Sequence, residues 1–327
     1  MKLFMLLNIL FSITLMISSN NLILMWITME LNLLSFIPIM IKKNYFKFNS
    51  IILTKYFMIQ SFSSMLFLMI FMFMYMNNYK YINNMMNLML MIIILMKMGM
   101  PPFMYWYINL MKLLNWINCI IMSILQKIIP IIIFMKFIIF NKLIYLMLII
   151  WSFFSIFYGM KQTMLKLMLT YSSINHMSWM LLLMNMSEKF LIKYYLLYSI
   201  ISIKLMLMFN YIKLNFINEM MNMKNKFLML IIMINILSLG GLPPLMGFIM
   251  KWFPSMIILN NKMFLLIMSL MMINSTFTIM YYLNILIPFM FINSYLNKFK
   301  FYNIKMNMII IMMMFTSMYW ITFNSLL

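Results

Sequence analysis

Leu88-Met89-Leu90-Met91-Ile92-Ile93-Ile94-Leu95-Met96-Lys97-Met98-Gly99-Met100-Pro101-Pro102 runs nine apolar residues into a lysine, then a glycine and two prolines. The apolar run reads as a helix in hydrocarbon, and the prolines stop it. A proline at position i supplies no N–H to the carbonyl of residue i−4, so Pro101 leaves the Lys97 carbonyl without its helical partner. A second cluster, Gly240-Gly241-Leu242-Pro243-Pro244-Leu245-Met246-Gly247 running on to Pro254, has Lys251 beside it. Four of the five glycines and five of the eight prolines lie in these two clusters. Broken helices beside charges buried in apolar sequence point to ion handling in a membrane.

Working outward, the chain of 327 residues is 67% hydrophobic and 8% charged. Its apolar runs repeatedly reach the ~20 residues a helix needs to cross a bilayer. Hydrocarbon requires every backbone N–H and C=O to be satisfied internally, and continuous rather than alternating apolar runs select helices over a barrel. The expected fold is all-α, a polytopic bundle with broken helices and about eleven transmembrane spans. They fall near residues 4–18, 22–42, 51–76, 84–108, 119–139, 142–160, 163–184, 189–214, 226–252, 262–287 and 306–324. Pro130 sits in the fifth span, beside Lys127, and marks a third break. No stretch is long enough for a soluble domain, so residues 1–327 read as a single membrane domain.

The chain contains no Ala, Val, Arg or Asp, while Met, Ile, Leu, Phe, Asn, Lys and Tyr dominate. Those residues use A/T-only codons, and reading ATA as Met, as animal mitochondria do, explains 53 methionines. A mitochondrial gene under A+T pressure follows, and Gly and Pro, which need G/C-rich codons, stand out against it. The net charge of +21 comes from 24 lysines against Glu30, Glu188 and Glu219. Codon bias accounts for that excess, and without Arg there is no bidentate contact to bases or phosphates, so no nucleic-acid partner is expected. Cys119 stands alone, which excludes an internal disulfide. The first apolar run lacks a small-residue cleavage site, so no cleavable signal peptide is expected. Lysines fall mainly after even-numbered spans, among them Lys42, Lys43, Lys112, Lys161 and Lys213, and only Lys80, Lys142, Lys189 and Lys262 follow odd ones. Positive-inside then places the N-terminus on the matrix side of the inner membrane.

Four ionisable residues lie deep in spans: Glu30, Lys97, Lys127 and Lys251. Each costs about 3 kcal/mol at the bilayer centre, on the order of 10 kcal/mol together, unless paired or hydrated. That cost favours a functional reading. The other reading for the lysines is snorkelling from a helix end, and for Glu30 a structural ion pair. Lys204 is a further mid-span lysine without a helix breaker. His176, the only histidine, can pass protons near neutral pH or be held by backbone or a hydroxyl. One His and one Cys cannot build a bis-His haem, a zinc site or an iron–sulfur cluster. There is no Gly-rich nucleotide motif. No cofactor is expected in this chain.

Matching stretches run along the chain: Trp26 to Asn32 with Phe36-Ile37-Pro38; Lys55-Tyr56-Phe57 with Gln60-Ser61; Lys97-Met98-Gly99 with Pro102-Phe103 and Trp106; Gln126-Lys127 with Pro130; Gln162 with Tyr171 to Ile174 and His176; and Gly241 to Pro244 with Gly247-Phe248 and Lys251-Trp252. On these residues the chain, insect-like in composition, resembles the subunit 2 family of mitochondrial complex I, the NADH–ubiquinone oxidoreductase, among its antiporter-like proton-pumping subunits. Gly-Phe-x-x-Lys-Trp resembles this family more than its two longer paralogues. The resemblance implies a Glu30–Lys97 charged pair, Lys127 as a relay on a central hydrophilic axis, and Lys251 as the distal lysine exchanging with the far side. It also implies other complex I subunits as partners, especially neighbouring antiporter-like ones, together with membrane lipids. Met104 stands where the family often has His after Pro-Phe, and Leu125 where it often has Trp before Gln-Lys. Both departures bear on any proton route requiring that histidine.

The function implied is proton translocation coupled to electron transfer from NADH to ubiquinone, with the redox centres on other subunits and no catalysis by the isolated chain. A stand-alone cation/proton antiporter and a purely structural membrane subunit are the alternatives. Eleven spans place the termini on opposite faces, so protease protection of terminal tags in mitoplasts should digest only one. Both tags on one face would defeat the count.

Overall fold

A computed structural model of the chain describes residues 2–41, 46–76, 80–137, 142–184, 187–221, 223, 226–243, 245–258 and 262–295. In chain order the helices are α1 (Lys2–Ser18), α2 (Leu22–Met40), α3 (Phe46–Met76), α4 (Lys80–Met98), α5 (Met104–Leu113) and α6 (Trp116–Ile120). A π-helical segment (Ile121–Leu125) leads into α7 (Gln126–Phe137), followed by α8 (Lys142–Met160), α9 (Leu165–Met184) and α10 (Glu188–Ile212). Then come α11 (Ile217–Met221), α12 (Lys226–Gly240), α13 (Met246–Ile258) and α14 (Lys262–Tyr295). The described residues are all-α, with one isolated bridge between Met164 and Phe216. Ten of the eleven expected spans fall on these helices, and the eleventh, near 306–324, lies outside the described residues.

Apolar side chains face outward as well as inward, as a hydrocarbon solvent allows. On α3, Met58, Phe62, Met65, Met69 and Met72 recur at 4-3-4-3 spacing and are exposed, while Tyr56, Gln60, Ser63, Ser64 and Phe67 are buried. A helix in water would invert that pattern. Among the described residues five helices are long and apolar enough to cross a membrane, and α1 and parts of α4, α8 and α12 are shorter apolar helices. Helix α9 is different: every residue from Leu167 to Leu183 is buried, including Ser172, Ser173, Asn175, His176 and Ser178. A helix enclosed on all sides lies in the protein interior, and its polar residues are functional candidates.

The chain divides into two compact units, Met1–Phe140 and Asn141–Leu327. In the first, α1 packs on α2, α2 on α3 and α3 on α4, while α7 lies against α1, α2 and α4. Lys136 of α7 donates to the carbonyls of Met16, at 3.2 Å, and Ser19. A cation thus sits at the C-terminal end of α1, where the helix dipole favours it. In the second, α8 packs on α9, α10 on α9, α12 and α13, and α14 on α8, α12 and α13.

Both Gly-Pro clusters break their spans in the same way. Each contains Gly-x-Pro-Pro, at Gly99-Met100-Pro101-Pro102 and at Gly241-Leu242-Pro243-Pro244. Helix α4 ends with Gly99 at φ +67°, the Gly99 N–H on Met96 O at 3.3 Å and the Met100 N–H on Leu95 O at 3.1 Å. Helix α12 ends with Gly241 at φ +80°, its N–H on Ser238 O at 3.1 Å and the Leu242 N–H on Leu237 O at 3.4 Å. This is the Schellman closure, and its left-handed residue favours glycine. The helix then restarts, as α5 and as α13.

The third break differs from its sequence expectation. Pro130 lies inside α7, which continues through it, and the irregular stretch is the π-helical Ile121–Leu125 just upstream of Gln126 and Lys127. π turns tolerate altered backbone pairing and concentrate at functional positions.

At the restart of α13, Gly247 lies so close to α12 that a Cβ there would stand 1.4 Å from the Ser238 carbonyl oxygen. Gly247→Ala should therefore cost about 3 kcal/mol or more and lower the amount of assembled subunit, read on native gels. Normal assembly would contradict the close approach.

Candidate functional site

Proline releases carbonyls at both breaks, and in each case a side chain takes one up. In the first unit the Lys97 carbonyl, which Pro101 cannot serve, accepts from Gln60 Nε2 at 3.2 Å. The carbonyl of Met96 accepts from Trp106 Nε1 at 3.1 Å. In the second unit Pro244 cannot serve the Gly240 carbonyl, and Lys251 Nζ donates to it. Lys251, ten residues beyond Gly241 on α13, thus reaches the end of α12. Gly241 leaves the room for it, since a Cβ there would come within 2.8 Å of Lys251 Cδ and Cε.

Lys97 is buried, and its Nζ contacts Met29 Sδ at 2.9 Å, a weak acceptor for an ammonium. Ser64 of α3 donates to the Glu30 carboxylate. Among the described residues Glu30 and Lys97 make no direct ion pair; Glu30 acts on Lys97 electrostatically through space. The charged pair implied by the resemblance is thus set apart in this structure, each partner on a neutral ligand.

Lys97 lines a cavity of about 10 Å³ with Asn32, Tyr56, Gln60, Gln126 and Pro130. That is room for one water. Asn32 and Gln126 form a closed amide pair: Asn32 Nδ2 donates to Gln126 Oε1 at 3.1 Å, and Gln126 Nε2 to Asn32 Oδ1 at 3.0 Å. The Tyr56 hydroxyl also donates to Gln126 Oε1, at 3.0 Å. Lys127, next in sequence, is 2% exposed and lies with Nζ 4.6 Å from the centroid of the Tyr107 ring, a cation–π distance.

In the second unit His176 and Tyr194 share a hydrogen bond of 2.9 Å between Nδ1 and the hydroxyl, and the Tyr198 ring lies 5.1 Å away. Lys251 Nζ also donates to Thr278 Oγ1 of α14 at 3.0 Å. Lys204 is buried on α10. Glu30, Lys97 and Lys127 therefore belong to the first unit, and His176, Lys204 and Lys251 to the second.

Sequence reasoning did not single out the polar side chains around these charges as site residues. Tyr56, Gln60, Ser63 and Ser64 form a buried stripe at helical spacing in an apolar helix, a signal that was legible. Thr278 carried no such signal, because only packing brings α14 to Lys251.

A family model described as NADH:quinone oxidoreductase/Mrp antiporter, transmembrane region, matches residues 19–278. NADH-ubiquinone oxidoreductase chain 2 of Anopheles gambiae is 36% identical over 86% of this chain and 83% of its own length. The chain belongs to the NADH-ubiquinone oxidoreductase chain 2 family. The Locusta migratoria member is 34% identical over 87% of this chain and 84% of its own. In structure, a chain of respiratory complex I from Thermus thermophilus superposes with a TM-score of 0.74 at 19% identity, covering 87% of this chain and 69% of that one. A chain of the Mrp complex from Dietzia sp. gives 0.72 at 13% identity, over 86% and 59%. This chain 2 family member therefore shares its fold with those two structures.

Removing Gln126 strands two buried groups, so Gln126→Leu should destabilise the subunit by about 2 kcal/mol. The double variant Asn32→Leu/Gln126→Leu should lose less than the sum of the singles, with coupling of roughly 1 kcal/mol. Thermal inactivation of the assembled complex measures both. Additive losses would show that the amide pair does not act as a unit.

Proposed function

We propose that this chain is a core membrane-arm subunit of mitochondrial complex I and takes part in proton translocation coupled to electron transfer from NADH to ubiquinone. The single observation that carries this reading is the pairing of two broken helices with two buried lysines in a member of the chain 2 family. It is a multi-pass protein of the mitochondrial inner membrane and acts as part of the enzyme complex with the other subunits. Eleven spans in a single membrane domain, with the N-terminus on the matrix side, fit the lysine distribution. Redox chemistry belongs to other subunits, and this chain needs no cofactor of its own.

Glu30, Lys97, Lys127 and Lys251 carry the protons, with His176 and Lys204 as further relays. Burial makes each lysine's charge costly, so a change in the field along the complex can decide whether the proton stays. Lys97 holds a thioether rather than a carboxylate, and Glu30 holds a serine. Approach of the two would favour the ammonium and separation would favour release. Moving one charge against 100 mV requires about 2.3 kcal/mol, a scale that changes of pairing and desolvation can supply.

Lys97→Met, nearly isosteric and uncharged, should leave the complex assembled. It should lower the coupled NADH–ubiquinone rate about tenfold or more and reduce the proton-to-electron ratio in proteoliposomes. An unchanged ratio and rate would remove Lys97 from the mechanism. A subunit migrating alone on a native gel would favour a stand-alone antiporter instead.

A further inference from the structure

Two side-chain ties join α2 to the two ends of the π-helical turn. Asn32 pairs with Gln126 on the downstream side, and Asn118 Nδ2 of α6 donates to the Ile39 carbonyl at 3.4 Å on the upstream side. Ile39 is the next-to-last residue of α2, so no N–H four residues on lies within the helix to serve its carbonyl, and Asn118 supplies a donor. The ties lie seven residues apart on α2, from Asn32 to Ile39, and eight apart on the other side, from Asn118 to Gln126. Seven residues of α-helix rise about 10.5 Å and eight about 12 Å, so two regular helices tied at both points would differ by one residue. The turn Ile121–Leu125 lies between the ties, and the Gln126 N–H donates to the Ile121 carbonyl five residues back. A turn closed five residues back holds one residue more than an α turn, and it takes up the surplus. Each end is held further. Upstream, the buried Cys119 thiol reaches the Met111 and Leu114 carbonyls at 3.7 and 3.8 Å. Downstream, the Tyr56 hydroxyl donates to Gln126, and Lys127 lies over the Tyr107 ring.

We infer that Gln126 is a positioning residue: through its amide pair with Asn32 it keeps the one-residue surplus inside the π turn, and so fixes the rotation that lays Lys127 over Tyr107. The inference rests on the reading of Lys127 as a proton carrier. When the pair opens, the surplus passes downstream, because Asn118 and Cys119 hold the upstream end. Gln126 and Lys127 then turn by about 100° and shift by about 1.5 Å, the step of one residue in an α-helix. That step carries Lys127 off the Tyr107 face. It also takes Gln126 from the wall of the cavity that it lines with Lys97. The amide pair therefore sets the direction of the lysine that follows it in sequence, without touching its ammonium.

The test uses complex I carrying a deletion of Leu125, Gln126→Leu, the two combined, or Lys127→Met, reconstituted in proteoliposomes, with native gels to follow assembly. Leu125 is the one residue of the π turn that is not buried, so its removal costs the least packing. Without it, seven residues face seven between the ties. The deletion alone should assemble and keep the proton-to-electron ratio, and a density map should show one continuous α-helix over 116–137 with Gln126 still on Asn32. Gln126→Leu should lower the coupled rate about tenfold and reduce the ratio, while NADH oxidation by a hydrophilic artificial acceptor stays unchanged. The combined variant should pump normally, because no surplus is left to move. Lost packing at Gln126 would not be repaired by removing a second residue. A combined variant as defective as Gln126→Leu, a deletion that fails to assemble or pump, or normal pumping by Gln126→Leu would each overturn the inference and leave the proposed function standing. Normal pumping by Lys127→Met would remove Lys127 from the mechanism and this inference with it. If Gln126→Leu does not assemble, the combined variant decides: regained assembly supports the register role, and its absence overturns it.

Discussion

A backbone carbonyl released inside hydrocarbon has no water to accept from, and each unsatisfied one costs several kcal/mol. The two Gly-x-Pro-Pro turns release such carbonyls, and the surrounding structure is organised around satisfying them. Gln60 reaches from α3 to the Lys97 carbonyl, and Lys251 returns from α13 to the Gly240 carbonyl. In the second case the donor is itself a buried cation. One contact therefore lessens two burial costs, since a broken helix end carries partial negative charge where an ammonium is best placed. Lysine and break are parts of one device.

The same economy of polar groups explains what surrounds the lysines. Lys97 has a sulfur, Lys127 an aromatic face and Lys251 a carbonyl and a hydroxyl. None of these ligands carries a formal charge. A full carboxylate partner would hold each proton firmly, whereas neutral ligands leave the ammonium tolerable without fixing it. Glu30 illustrates the point in reverse, because it is held by Ser64 and reaches Lys97 only through space. Cavities of about 10 Å³ lie beside Lys97 and Thr278.

Much of this is legible in the sequence. Glycine and proline had to be retained against codon pressure, so the clusters at Gly99 and Gly241 marked broken spans. The release of the Lys97 carbonyl followed from Pro101 alone. Lys251 was harder, because two helical turns separate it from its prolines along the chain. Only the packing of α13 on α12, which brings Lys251 to the Gly240 carbonyl, shows its place. Pro130 misled in the other direction: proline predicts a break, yet the helix runs through it and the deviation lies upstream as a π segment. Residue type does not encode where along the helix the backbone departs from α pairing.

By itself the sequence determined what the bilayer and the codons constrain: an all-α polytopic chain, broken at glycine–proline clusters, with a few charges too costly to be incidental. Those are properties of single residues and of runs of ~20, and hydrocarbon reads them locally. Tertiary structure alone decided which neutral group meets each charge. Asn32 finds Gln126 across 94 positions, and Thr278 meets Lys251 across 27. Such pairings depend on which helix faces pack together, and in a chain whose faces are apolar inside and out, composition does not distinguish them.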